Sequence, residues 1–200
     1  MKKNRFKQFD GTGTLTIFDI DETLFHTKAT VKVVKGGKVV RVLSNQQFNT
    51  YVKQDDEQFD FGEFESAENF KNTSVPVVRM VEKAKRIVKA KGNPHSRAII
   101  CTARGDFDDK EMFLQTFRDH GIDIDRMHVE RAGNLDVGSS AVAKKIIIRK
   151  YLETRNYTRV RFYDDAMSNL TAFLDLQSEF PRIRFEAYYV DHKGNDQRIV

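Results

Sequence analysis

A short apolar run, Thr14 to Ile20, leads into Phe18-Asp19-Ile20-Asp21-Glu22-Thr23-Leu24. Asp19 and Asp21 stand two residues apart, so on a continuing strand both carboxylates point the same way. Like charges brought that close require a cation or a shared proton. A lone pair of this kind also fits a plain acidic turn; the apolar strand before it and Thr23 after it weigh toward a site. A second apolar run, Arg97 to Cys101, ends in Cys101-Thr102-Ala103-Arg104-Gly105. A hydroxyl and a guanidinium at a strand end suit a phosphate, one as donor and the other as a bidentate cation. A cap and a surface arginine are the plainer alternative. Cys101 reads as a small buried apolar residue. Lys144 and Lys145 open a helix, and one of the two must be an ordinary solvated lysine. A further run, Arg159 to Tyr163, ends in Phe162-Tyr163-Asp164-Asp165. Adjacent acids at the end of a buried strand are costly unless paired or metal-bound. Carboxylates gathered at two strand ends make a hard, oxygen-rich donor set, which favours magnesium over zinc.

The elements that must position these residues follow from periodicity. Thr14 to Ile20 reads as a buried strand. Gly36-Gly37 between Ala29–Val34 and Lys38–Leu43 signals a hairpin, and Ser44 would cap a short helix through about Val52. Phe59, Phe61, Phe64 and Phe70 then interleave an acidic stretch, as if pinning an irregular segment to the body. Pro76 would sit in the first turn of a helix that Gly92-Asn93-Pro94 stops. Strands are expected at Arg97–Cys101, Met127–Glu130, Arg159–Tyr163 and Ile183–Val190. Helices are expected after Asp106 (ending by Gly121), after Ser139 or Ser140 (through Leu152), and from Ser168 to Glu179. Alternating strands and helices mark a parallel sheet covered on both faces. In such sheets sites form beyond the carboxyl ends of the strands, where three of the four stretches lie.

Composition bounds the rest. The chain has 200 residues, 40% hydrophobic and 32% charged, enough for one domain with a real core. A single cysteine excludes a disulfide framework or a multi-cysteine zinc site. No apolar run approaches the ~20 residues of a membrane span. Met1 to Phe9 is basic and polar without an apolar stretch behind it, so no secretory signal and a cytoplasmic location are expected. The net charge is +5, but Gln54 to Phe70 carries seven acids and no base, leaving the remainder at +12. A basic body can draw a phosphate-rich partner, although solvated surface charge accounts for it as well.

Taken in order, the four stretches resemble the motifs of the haloacid dehalogenase (HAD) superfamily of phosphohydrolases. FDIDETL is similar to its first motif, CTARGDF to its second, Lys144 in SSAVAK to its third (Lys145 in reserve), and FYDD to its fourth. Glu22 stands where many members carry glycine, though other branches carry glutamate. The resemblance implies an α/β fold: a HAD-like Rossmannoid three-layer sandwich with a central mostly parallel sheet. A small cap insert, residues 28–71, would follow the first strand, with residues 1–27 and 72–200 as the catalytic core.

It also implies Mg2+-dependent hydrolysis of a phosphomonoester through an aspartyl-phosphate. Asp19 would be the nucleophile and Asp21 the acid/base, with Thr102 and Lys144 holding phosphoryl oxygens. Asp19, the backbone carbonyl of Asp21, and Asp165 would hold the metal, and Asp164 would orient Lys144, the order within that acidic pair staying open. Thr23 and Arg104 are expected to touch substrate. MHVERAGN and the TARG run are similar to the 3′-phosphatase domain of phage-type polynucleotide kinase-phosphatases. That similarity points to nucleotides or nucleic-acid 3′ ends, with basic residues from Met1 to Lys7 and on the Pro76–Lys91 helix along a phosphate backbone. No GxxxxGK[ST] loop accompanies it. A phosphatase of a small metabolite or phosphoprotein is the second reading. A non-catalytic binding module is the third, and nothing in the sequence speaks to oligomeric state.

Overall fold

Side chains alternate along the strand β1 (Gly13–Phe18), and that alternation divides the protein into layers. Leu15 and Ile17 enter one apolar cluster and Phe18 enters the other. The computed structural model describes residues 11–48, 50–90 and 92–199. The basic run Met1–Lys7 and Lys91, expected near a phosphate backbone, lie outside the described residues.

After β1 come β2 (Phe25–His26), β3 (Val31–Lys35), β4 (Lys38–Leu43), α1 (Asn45–Phe48) and β5 (Glu57–Asp60). Next are α2 (Gly62–Glu65), α3 (Ala67–Thr73), β6 (Val75–Pro76), α4 (Val78–Lys89) and β7 (Arg97–Thr102). The chain continues through α5 (Lys110–Asp119), β8 (His128–Arg131), α6 (Ser140–Leu152), β9 (Tyr157–Asp164) and α7 (Met167–Leu174). It ends with β10 (Arg184–Val190) and β11 (Asp196–Arg198).

The main sheet runs β11-β10-β9-β1-β7-β8. Every pairing from β10 across to β8 is parallel, and β11 closes one edge antiparallel to β10. Residues of α3, α4 and α5 cover one face, through Phe70, Met80, Ala84, Phe113 and Phe117. Those of α6 and α7 cover the other, through Ile147, Ile148, Leu170 and Phe173. The protein is therefore an α/β structure with a mostly parallel central sheet between helical layers. No helix among the described residues is long and apolar enough to cross a membrane.

A separate antiparallel sheet, β4-β3-β5, is built from residues between β2 and α2. Gly36 and Gly37 both take positive φ, 57° and 75°, which the tight β3–β4 turn requires. The acidic stretch is regular here: Glu57–Asp60 pairs with β3. A basic strand invites an acidic neighbour, and Lys35 bonds Asp56 at 2.6 Å. This sheet has a small core of its own, Val31, Val33 and Leu43 with Phe48, Tyr51, Phe59 and Phe64 against it. The last part of the expected insert behaves differently, since Ala67 and Phe70 of α3 are buried in the main core.

Several boundaries move for local reasons. The helix after Ser44 stops at Phe48. Pro76 ends the short β6 pairing with β2, and α4 starts at Val78. Asp109, not Asp106, caps α5, accepting from the Met112 N–H, while Asp106 pairs with Arg131 at 2.9 Å. Ser139 caps α6 through the Val142 N–H. The edge strand β11 has no counterpart in the expected elements; three polar residues, Asp196, Gln197 and Arg198, give no strand pattern.

Candidate active site

The Asp19 N–H donates to the Tyr163 carbonyl at 3.0 Å, so the β1 ladder continues to Asp19. Asp19 therefore faces the same side as Leu15 and Ile17, toward α6. On β9, Asp164 follows Val160 and Phe162 to that side. On α6, Lys144 is buried with Ile148 and Tyr151, which lie four and seven residues on, so the inner stripe of the helix carries it inward. These three placements produce one contact. Lys144 Nζ donates to Asp19 Oδ1 at 2.7 Å and to Asp164 Oδ2 at 2.8 Å. Lys145 faces outward and pairs with Asp175 at 2.9 Å.

Asp164 is fully occupied. Its Oδ1 accepts from the Ala166 N–H, and both its oxygens accept from Asn169 Nδ2. Asn169, on α7, did not emerge from the sequence. Its signal was a buried amide five residues past Asp164 on a face otherwise made by Leu170 and Phe173. Asp165 is half-buried beside this group. One oxygen each from Asp19, Asp164 and Asp165 lie within 4.8 Å of one another.

Charge in this cluster is unbalanced. Burial pushes the Asp19 carboxyl up to about 7; Asp164 and Asp21 add to that, against the opposing pull of Lys144. Burial, then the charges of Asp164 and Asp19, push Asp165 up to about 8. Burial works against the charged form of Lys144, but Asp164 and Asp19 outweigh it and hold the ammonium above its usual range. One buried cation thus faces three carboxylates. An all-oxygen set with surplus negative charge fits a hard dication such as Mg2+.

Asp21 lies apart from that cluster, in a clamp. Arg104 Nε donates to Asp21 Oδ2 at 2.9 Å and Nη2 donates to Oδ1 at 2.7 Å, and Thr27 Oγ1 donates to Oδ1 at 2.6 Å. Burial alone would raise this carboxyl, but the Arg104 charge and these hydrogen bonds hold it below its usual range. Arg104 itself is buried. Its Nη1 donates to the Phe64 carbonyl at 2.9 Å, and its guanidinium lies over the rings of Phe64, Phe70 and Phe107. Arg104 and Thr23, both expected on substrate, lie in the interior: Arg104 is bonded to Asp21 and Phe64. Thr23 is fully buried with its Oγ1 unbonded among the described residues.

Thr102 ends β7 beside β1, buried, its Oγ1 accepting from the Arg104 N–H at 3.1 Å. Cys101, on the opposite face of that strand, is buried and its thiol is pushed up to about 12 by burial. Several basic side chains of α4 have partners within the protein. Arg79 bonds Asn195, Lys83 pairs with Asp196, and Lys85 bonds Glu82 at 2.6 Å.

No family model and no curated protein matches this chain. Among solved structures, it is similar to the HAD domain of the effector protein Lem4 from Legionella pneumophila. The two are 12% identical with a TM-score of 0.46, over 88% of this chain and 85% of that one.

Proposed function

We propose that this chain is a HAD-type phosphohydrolase that cleaves phosphomonoesters through a covalent phosphate on Asp19. The Lys144 bridge between Asp19 and Asp164, at the carboxyl ends of adjacent parallel strands, is the observation that carries this reading. A carboxylate nucleophile splits one hard displacement into two easier ones. In the first, an Asp19 oxygen attacks phosphorus and the ester oxygen leaves with the bond electrons. In the second, water displaces Asp19 and releases inorganic phosphate.

Lys144 supplies fixed positive charge next to the attacking oxygen, and Asp164, held in turn by Asn169 and the Ala166 N–H, keeps that ammonium in place. Fixed charge of this kind costs no reorganisation as the phosphoryl group moves. Thr102, at the end of the neighbouring strand β7, is the hydroxyl that would bind a phosphoryl oxygen. Asp19 and Asp165 are the side chains that would hold Mg2+, with the backbone carbonyl of Asp21, and the ion would neutralise phosphoryl oxygens together with the surplus carboxylate charge. Asp21 takes the proton from water in the second step, and its clamped, ionised state is ready for that. For the first step it must be protonated before it can give a proton to the departing oxygen, so the Arg104 pair has to loosen.

For substrate, we propose nucleotides or nucleic-acid 3′-phosphate ends. The similarity of TARG and MHVERAGN to the phage-type 3′-phosphatase domains supports this. The test is phosphate release with and without Mg2+ from an aryl phosphate, a sugar phosphate, a nucleoside 3′-monophosphate and a 3′-phosphorylated oligonucleotide. Mg2+-dependent release that is fastest on the two 3′-phosphates is expected. Fastest release from the sugar phosphate would move the assignment to a small metabolite, and no release from any of them would overturn the enzymatic reading.

A further inference from the structure

We propose that Glu22, His26 and His192 form a second metal site, selective for a zinc-class transition dication, beside the carboxylate cluster but distinct from it. His26 Nδ1 lies 2.8 Å from Glu22 Oε2, and His192 Nδ1 lies 3.4 Å from the same oxygen. One ligand atom from each of the three residues falls within 4.8 Å of the other two. Ligands about 2.0–2.1 Å from a tetrahedral zinc stand roughly 3.4 Å from one another, so small side-chain rotations would admit the ion.

The three ligands come from separately anchored backbone. Glu22 is in the turn after Asp21, where its φ of 57° is unusual for a residue with a side chain. His26 is on β2, paired with Val75 of β6. His192 is in the turn directly after β10, and Asp191 fixes that turn by accepting from the Lys193 and Asn195 N–H groups at 2.8 Å. All three segments meet beyond the carboxyl ends of β1 and β10.

A simple ion pair accounts for this arrangement poorly. One histidine is enough to pair Glu22, yet two converge on a single oxygen with ring centroids 4.3 Å apart. If both carried charge they would repel, and no lysine or arginine pairs with Glu22 among the described residues. Two imidazole nitrogens and one carboxylate make a softer donor set than three carboxylates. The two sites therefore sort cations by type, Mg2+ to the buried acids and the transition dication to the histidines. His192 is 73% exposed, which leaves the ion reachable from solvent, with coordination positions open to water. The proposal does not depend on the phosphatase reading.

The experiment uses the full chain saturated with Mg2+, titrated with Co2+ and read by visible d–d absorption, with Zn2+ competition by calorimetry. One equivalent per chain is expected, displaced by Zn2+. His26→Ala and His192→Ala should each weaken binding on the order of tenfold or more, and Asp165→Asn should leave it unchanged. His192 is exposed, so its variant is expected to fold normally, which circular dichroism checks. Absence of saturable binding, wild-type affinity in His192→Ala, or loss of the signal in Asp165→Asn would overturn the site.

Discussion

Arg104 grips Asp21 through two parallel hydrogen bonds, at 2.9 and 2.7 Å, while the same guanidinium donates to the Phe64 carbonyl beside the small sheet. The proton-transfer group and the segment after the first strand are thus tied by one buried cation. Replacing it as Arg104→Gln removes the main opposition to burial at Asp21, leaving the Thr27 hydrogen bond and the Lys144 charge, so that carboxyl rises. The limb of the pH–rate profile that belongs to Asp21 should move toward higher pH. Stability should fall by about 3–5 kcal/mol, the usual cost of breaking a buried pair. A profile that keeps its shape would remove Asp21 from the proton-transfer role.

The roles of Asp19 and Asp21 separate by substrate. Asp19→Asn lacks the attacking oxygen, so no covalent phosphate can form on any ester. Asp21→Asn should lose about 10²–10⁴-fold on alkyl phosphates, whose leaving oxygen needs a proton. An aryl phosphate departs without that help, so its first step should be partly rescued. The second step still lacks a base, and the phosphorylated protein should accumulate. Acid-quench trapping and peptide mapping read this directly. A phosphate mapped to Asp164 or Asp165 would reassign the nucleophile.

Lys144 and Lys145 are neighbours in sequence and opposites in environment. Lys144→Met leaves Asp19 and Asp164 buried without their cation and should cost about 3 kcal/mol or more, along with phosphate release. Lys145→Ala removes a partly exposed pair with Asp175 and should change stability by no more than about 1 kcal/mol. Chemical denaturation of both variants measures the difference. Equal effects would contradict the inward placement of Lys144.

How far the sequence could be read depended on whether a residue's partners were local. Strand ends are local, so Asp19, Thr102 and Asp164 could be placed from apolar runs and alternation. Helical phase would also have separated Lys144 from Lys145, because Ile148 and Tyr151 mark the inner stripe. The Arg104 clamp was not legible, since it joins residues 83 positions apart. An arginine at a strand end looks the same whether it serves a ligand or a carboxylate. β5 was hidden for a related reason: Glu57-Gln58-Phe59-Asp60 is poor strand material alone and pairs because basic β3 lies alongside.

Glu186 provides a test of pH dependence away from the site. It is buried on β10, with Arg161 at 3.0 Å, Arg184 at 2.9 Å and Arg159 at 3.4 Å. Burial would raise its carboxyl, but the hydrogen bond from Arg161 and the charges of the arginines hold it below the usual range. A depressed carboxyl stabilises the fold above its unfolded value, ~4.3, and that stability is lost as pH falls through the folded one. Glu186→Gln should therefore cost about 1–3 kcal/mol at neutral pH. The gap to wild type should close on acidification below the ordinary glutamate range. A gap that stays constant with pH would mean that packing, not charge, holds this residue.

Asp165 tests the cation directly. Without an ion, burial and then the charges of Asp164 and Asp19 push its carboxyl up to about 8. Asp165→Asn replaces a carboxyl that burial and its neighbours make costly to ionise, so the metal-free variant should melt at or above wild type. The same change takes away a donor, so Mg2+ should raise Tm in wild type and do so much less in the variant. These two effects oppose each other, and a merely structural Asp165 would not produce both. A variant that is less stable without Mg2+ yet gains as much from it as wild type would show that Asp165 supports the fold and does not hold the ion.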